Sequence, residues 1–285
     1  MTTEARVTKD PAYMMGRSDA ETRRLMAQSE MLYPFTRRML EEAGISEGMR
    51  VLDVGSGAGD VALMAAEMVG ESGSVVGVDQ NPKVLETARA RADAADLTNA
   101  EFVEGDCRET ALDHGEFDAV VGRLVLMYMA DPAEALRDLT RCLKPGGIVA
   151  FQDYNFTPES VRPSPPTPLW QRGYGWFRAA ARGAGIPAEM GFGLRRAFLD
   201  AGLPEPRMEL NSYVAGGPDS LTYDIMAEVI RSVLPLIVKF GIATEEEIDI
   251  DTLAERLRAE TITSDGVVKA PDLVSAYSRK DRVLR

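Results

Sequence analysis

The chain of 285 residues predicts an α/β fold built on an open, doubly wound parallel sheet. Three observations carry this. Between residues 49 and 155, short apolar runs of strand type alternate with helix-type segments across short loops. The first run, Val51-Leu52-Asp53-Val54, ends in Gly55-Ser56-Gly57-Ala58-Gly59, and a helical pattern starts at once. The next two runs end beside acids, Asp79 and Asp106. Right-handed crossovers follow from the strand twist.

Residues 1–18 are polar and irregular. Residues 19–43 read as a helix, because Leu25, Met26, Leu32, Phe35, Met39 and Leu40 recur at helical spacing and Gly44 follows. Strands are expected at 49–54, 74–79, 100–104, 117–122 and 147–154. Helices are expected at 60–70, at 82–95 behind Asn81-Pro82, and at 132–143 behind Asp131-Pro132. The rhythm breaks after 155. The proline-rich piece 158–168 is expected to form no regular element. Helices follow at 169–184, in a second short stretch closed by 195–201, at 218–240 and at 244–260. Strand-like patterns occupy 206–215 and 267–279.

Bulk properties narrow the function. A formal net charge of −13 opposes nucleic acid, and the paired arginines Arg23-Arg24 and Arg37-Arg38 read as solvated helix faces. No apolar run reaches the roughly 20 residues that span a bilayer, and the first residues lack a signal pattern. The expectation is a cytoplasmic protein with a small-molecule partner, bound to neither nucleic acid nor membrane. A homodimer is compatible with it. Cys107 and Cys142 are too few for a disulfide framework and have no metal-ligand spacing.

The glycine bend is a nucleotide-type cofactor loop. Glycine accepts positive φ and lets a ligand approach the backbone, and the helix beyond presents unpaired N–H groups. The spacing is G-x-G-x-G, not the G-x-G-x-x-G of dinucleotide enzymes. Asp79, about 20 residues on, stands where an acid accepts ribose hydroxyls or caps the next helix. Gly105-Asp106-Cys107 places a second acid after the third strand.

Together, VLDVGSGAGD, VVGVDQN, EGDC and FDAVVGRLVLMYMADP resemble the class I S-adenosylmethionine-dependent methyltransferases, of small-molecule type and similar to the ubiquinone/menaquinone-biosynthesis group. The resemblance covers residues 49–155 well and the rest loosely. It implies a Rossmann-like seven-stranded sheet whose last strand is antiparallel, with a helical cap. It divides the chain into an N-terminal arm or lid (1–48), a cofactor core (49–157, 203–217 and 262–285) and a cap for the acceptor (158–202 and 218–261). The implied cofactor is S-adenosylmethionine, leaving as S-adenosylhomocysteine, with no metal. The implied cofactor contacts are Asp53, Gly55, Ser56, Gly57, Asp79, Gln80, Asp106, Cys107, Arg123 and Leu124. Tyr13 and Arg17 would close over them.

Each position also has a plainer reading. Asp53 fits a turn acid, Cys107 a small apolar filler, and Arg123 a surface cation. Methyl transfer from a sulfonium is an in-line displacement, so positioning matters most and a base is needed only if the nucleophile must lose a proton. The only histidine, His114, lies in a polar run, and Tyr128 stands where related proteins often carry histidine. Tyr128, Tyr13 and Glu30 are therefore the candidate catalytic groups. Tyr33, Gln152, Asp153, Trp170, Tyr174 and Trp176 are candidate acceptor contacts, with cap packing as the alternative for the aromatic ones. The expected reaction is methylation at carbon, oxygen or nitrogen of a phenol-, quinol- or indole-like metabolite, in specialised metabolism. The rivals are an NAD(P)-dependent oxidoreductase, a nucleic-acid methyltransferase and a non-catalytic cofactor-binding protein.

Overall fold

The computed structural model describes residues 19–113 and 115–281. Helix α1 (Asp19–Ala43) ends in a left-handed Gly44, whose N–H and that of Ile45 turn back onto Leu40 and Glu41 carbonyls. Then come β1 (Arg50–Val54), α2 (Asp60–Val69), β2 (Ser74–Asp79), α3 (Pro82–Ala94), β3 (Ala100–Glu104), α4 (Cys107–Asp113), β4 (Phe117–Arg123), α5 (Pro132–Leu139) and β5 (Leu143–Asn155). Asn81 and Asp131 cap α3 and α5 through their side chains, as their Asn-Pro and Asp-Pro pairs predict.

The second half contains β6 (Arg162–Ser164), α6 (Pro168–Gly183), α7 (Met190–Asp200), β7 (Arg207–Asn211), β8 (Val214–Gly216), α8 (Thr222–Lys239), α9 (Glu245–Ile248), α10 (Leu253–Thr263), β9 (Val267–Lys269) and β10 (Asp272–Arg279). The main sheet has the order β3-β2-β1-β4-β5-β10-β7. The first five strands are parallel, and β10 runs antiparallel between β5 and β7. This is the expected seven-stranded sheet with an inserted antiparallel last strand, and helices α8 to α10 lie between its two final strands in sequence.

Strand alternation divides the core. Val51, Val75, Ala119, Val121, Ile148 and Ala150 pack with α1, α2 and α3 on one face. Leu52, Val76, Val120, Val149 and Phe151 face α5 and α7 on the other. That second core runs on without interruption into α6, α8 and α10, where Trp170, Tyr223 and Ile230 are fully buried.

The structure corrects four expectations. The proline-rich piece does contain a strand: β6 pairs with β9, which pairs with β8, in a separate three-stranded sheet. Pro163 is tolerated because β6 is an edge strand. The strand patterns at 206–215 and 267–279 each break in two, so that one half of each joins this small sheet. The helix pattern at 244–260 breaks at Asp249, whose φ of 46° is left-handed. Helix α4 has no counterpart in the sequence reading.

Helix α1 is fastened to the sheet by Gln152, which is fully buried on β5. Its Oε1 accepts from Thr36 Oγ1 at 2.8 Å, and its Nε2 donates to Ser275 Oγ at 2.8 Å and to the Phe35 carbonyl at 3.2 Å. Gln152→Leu strands these partners in the interior. It should lower unfolding stability by about 1–3 kcal/mol, read as a shifted denaturant midpoint at unchanged slope; an unmoved midpoint contradicts the clamp.

Candidate active site

The bend lies at the carboxyl end of β1, where the sheet order reverses between β1 and β4. Ligands bind open α/β sheets at this point. Gly55, Gly57 and Gly59 have φ of 65°, 53° and 87°, so the turn is built from left-handed residues. A Cβ at Gly55 would meet Val125 at 2.7 Å, whereas one at Gly57 would meet nothing within 4 Å. The bend is therefore packed on one side and open on the other.

Asp79 sets its shape. Its Oδ2 accepts from Gly57 N at 3.0 Å, its Oδ1 from Asn81 N at 2.8 Å, and its carbonyl from Gly105 N at 3.0 Å. Three loops are thus drawn to one residue. Gln80 beside it is exposed.

Arg123 ends β4 with a side chain only 8% exposed. Its Nη1 donates to Thr36 Oγ1 at 3.0 Å and its Nη2 to Asp60 Oδ2 at 3.2 Å. Asp60 in turn accepts from Arg91 at 2.6 Å. Arg123 is thus an internal tie between α1, β4 and the start of α2, not a surface cation. Leu124 follows with φ of 56° and donates its N–H to the Gln152 carbonyl at 2.7 Å. This left-handed non-glycine residue turns the chain so that Val125 abuts Gly55 and the 3₁₀ turn Leu126–Tyr128 begins.

Two carboxylates are buried without a hydrogen-bond partner among the described residues, Asp53 and Asp153. Burial pushes Asp53 up to about 8, against the opposing pull of the Arg123 charge and the Ala62 peptide. Asp153, on the sheet face opposite Gln152, is raised well above the carboxylate range by burial, with the Met127 and Leu126 peptides pulling the other way. Ser56 Oγ is also buried and unpartnered among the described residues. Orphaned polar atoms at an open glycine bend fit a ligand that brings its own hydrogen-bonding groups close to the backbone.

The other expected cofactor positions are less free. Asp106 is gripped by Arg108, with Nε at 2.9 Å on Oδ1 and Nη2 at 2.6 Å on Oδ2, and these bonds hold it below the usual carboxylate range. Cys107 is a buried filler at the start of α4, its thiol pushed up to about 12 by burial.

Of the candidate acceptor and catalytic groups, the structure brings some together and removes others. Tyr128 lies on the turn beside the bend and is half-buried. Tyr174 is buried. Trp176 is half-buried against the main core. Trp170 is core: it is fully buried and its Nε1 donates to Thr261 Oγ1 at 2.8 Å. Gln152 is corrected likewise, because its polar atoms are committed to the α1 clamp. Glu30 and Tyr33 lie on the exposed side of α1, and the Tyr33 hydroxyl accepts from Arg37 of the same helix at 3.3 Å. Neither joins the inward-facing groups of α1. Tyr13, Arg17 and His114 lie outside the described residues.

Sequence reasoning missed Gln28, Thr36, Asp60 and Tyr154. Asp60 closes the motif phrase itself. Thr36 and Gln28 are polar residues on the buried stripe of α1, and only that position marks them. Tyr154 ends the fifth strand pattern, and its hydroxyl accepts from Gln28 Nε2 at 2.9 Å.

Sheet order and glycine bend together define a Rossmann-like, doubly wound domain. Residues 45–177 match the family model described as Methyltransferase domain. Demethylmenaquinone methyltransferase of Staphylococcus aureus (strain MRSA252) is 34% identical over 113 residues, which are 40% of this chain and 46% of that protein. The match therefore spans less than half of that relative. Among solved structures, YcgJ of Bacillus subtilis superposes with a TM-score of 0.54 at 16% identity, covering 86% of this chain and 97% of that one. A precorrin 8w decarboxylase of Methanobacterium thermoautotrophicum gives 0.51 at 16% identity, covering 86% and 89%. These two likenesses concern the fold.

The buried Asp53 gives a test of the electrostatics. Burial holds this proton on the folded chain up to about pH 8, while the unfolded chain releases it near the ordinary carboxylate value of 3.8. Folding stability therefore falls as pH rises between those values and levels off above. Asp53→Asn removes the penalty. Its stability relative to wild type should rise from pH 5 to pH 8, by on the order of a few kcal/mol. Parallel stability–pH curves for the two proteins contradict the assignment.

Proposed function

We propose that the chain transfers a methyl group from S-adenosylmethionine to a small aromatic or cyclic acceptor. The observation that carries this is the glycine bend, open over Gly57 and braced by Asp79, within a methyltransferase domain. Gly55, Ser56 and Gly57 line the approach of the amino-acid and ribose parts. Asp79, at the end of β2, is the acid for the ribose hydroxyls. Asp53 lies beneath the bend, and Leu124 beside it. Asp106 faces the adenine end and shares its oxygens with Arg108. Gln80 and Cys107 border the same end.

The bound cofactor supplies an activated methyl group. The protein's task is to hold the acceptor atom in line and exclude water. Tyr128, beside the bend, orients the acceptor or relays its proton. Helices α6, α8 and α10 act as the cap, with Tyr174 and Trp176 as acceptor walls. Asp153 buttresses the Tyr128 turn from behind. The demethylmenaquinone methyltransferase relatives support a cyclic acceptor. The acidic net charge of −13 supports a small molecule over nucleic acid. No helix among the described residues is long and apolar enough to cross a membrane.

Calorimetric titration with S-adenosylhomocysteine and with NADPH separates this reading from an oxidoreductase. Tight binding of NADPH alone would reverse it. Asp79→Ala should weaken S-adenosylhomocysteine binding by about 1–3 kcal/mol; unchanged affinity removes the ribose assignment. Tyr128→Phe should slow turnover while cofactor affinity stays within twofold; full activity assigns Tyr128 to packing.

A further inference from the structure

One polar cluster is left unused by the cofactor reading. It lies where α6 passes the carboxyl end of β5. Tyr174 is 8% exposed and held flat against Trp170, with ring centroids 5.7 Å apart and planes at 26°. Trp170 is itself fixed by Thr261. Trp170 thus seats one face of the Tyr174 ring. Yet its hydroxyl has no hydrogen-bond partner among the described residues.

Two groups stand close enough for Tyr174 to feel their charge, Tyr154 and Arg178. Tyr154 is held by Gln28 of α1 at 2.9 Å. Arg178 lies one turn after Tyr174, so both project from the same side of α6. It is half-buried, and it donates no hydrogen bond and makes no ion pair among the described residues. The exposed Glu159 attracts it without forming an ion pair among the described residues. Burial lowers the Arg178 pKa, yet a guanidinium stays charged under all ordinary conditions. Beside the cluster, Phe177 packs edge-on against Phe156 at 5.1 Å.

A fixed hydroxyl donor and an unpaired planar cation, next to aromatic side chains, match a two-oxygen anion carried on an apolar body. A guanidinium presents only donors, in a fork that fits a carboxylate. We propose that Tyr174 and Arg178 form the acceptor-recognition site for an aryl carboxylic acid, its carboxylate taking the Arg178 fork and the Tyr174 hydroxyl. Tyr154, anchored by Gln28, closes the site from the β5 side. This rests on the methyltransferase reading and narrows its acceptor to an acid. These residues are specificity-determining; the methyl-accepting atom lies elsewhere on the ligand.

The test is calorimetric, on the full chain saturated with S-adenosylhomocysteine. A set of hydroxybenzoic and hydroxynaphthoic acids is titrated, each beside its methyl ester. The acids should bind at least tenfold more tightly than their esters. Arg178→Gln should abolish that preference while S-adenosylhomocysteine affinity stays within twofold, and Arg178→Lys should restore part of it. Tyr174→Phe should weaken acid binding at least threefold and leave ester binding unchanged. Equal binding of acid and ester, no binding of any acid, or a full preference retained in Arg178→Gln overturns the proposal. Binding of S-adenosylhomocysteine is read first. If it fails, the methyltransferase reading falls and this inference with it; if it holds without an acid preference, only the acid site is rejected.

Discussion

The carboxylate of Asp79 is the constraint on which the glycine bend depends. One oxygen holds the Gly57 N–H and the other the Asn81 N–H, while the carbonyl receives Gly105. Three strand-to-helix loops that share no sequence neighbourhood are pinned at one point. Peptide donors at such a bend would otherwise point at random into solvent. Charge-assisted bonds to an ionised acid fix them before any ligand arrives, which lowers the ordering cost of binding.

A second constraint couples the bend to the first helix. Gln152 ties Thr36 to the sheet, Arg123 ties Thr36 to Asp60, and Asp60 takes Arg91 as well. The seating of α1 and the start of α2 are thus parts of one polar network. Little of it reaches solvent, so each member depends on the others for satisfaction. The helix that leads in from the N-terminal segment is in this way connected to the cofactor loop.

The same region tolerates groups that a purely structural core would exclude. Asp53 on β1 and Asp153 on β5, two strands apart at the same end of the sheet, are buried without a well-formed hydrogen bond among the described residues, and burial favours their neutral forms. Leu124 adopts left-handed backbone beside them. Local cost concentrated at the switch point of the sheet is the usual mark of a site built for a ligand.

Much of this was legible in the chain itself. Alternating apolar runs, capped helix starts such as Asn81-Pro82, and the glycine bend determine the five parallel strands, the cofactor loop and its braced acid, because each rests on local periodicity and turn chemistry. Other assignments went astray for want of tertiary context. Gln152 read as a polar acceptor contact and Trp170 as either pocket wall or cap core, and α1 and α10 supply their partners from more than 90 residues away. Pro163 read as a strand breaker, yet β9 gives it an edge to occupy. Glu30 and Tyr33 read as inward-facing, yet packing of α1 on β5 buries the opposite side of that helix. Which polar groups are satisfied and which are left open depends on distant contacts, so only the folded structure decided it.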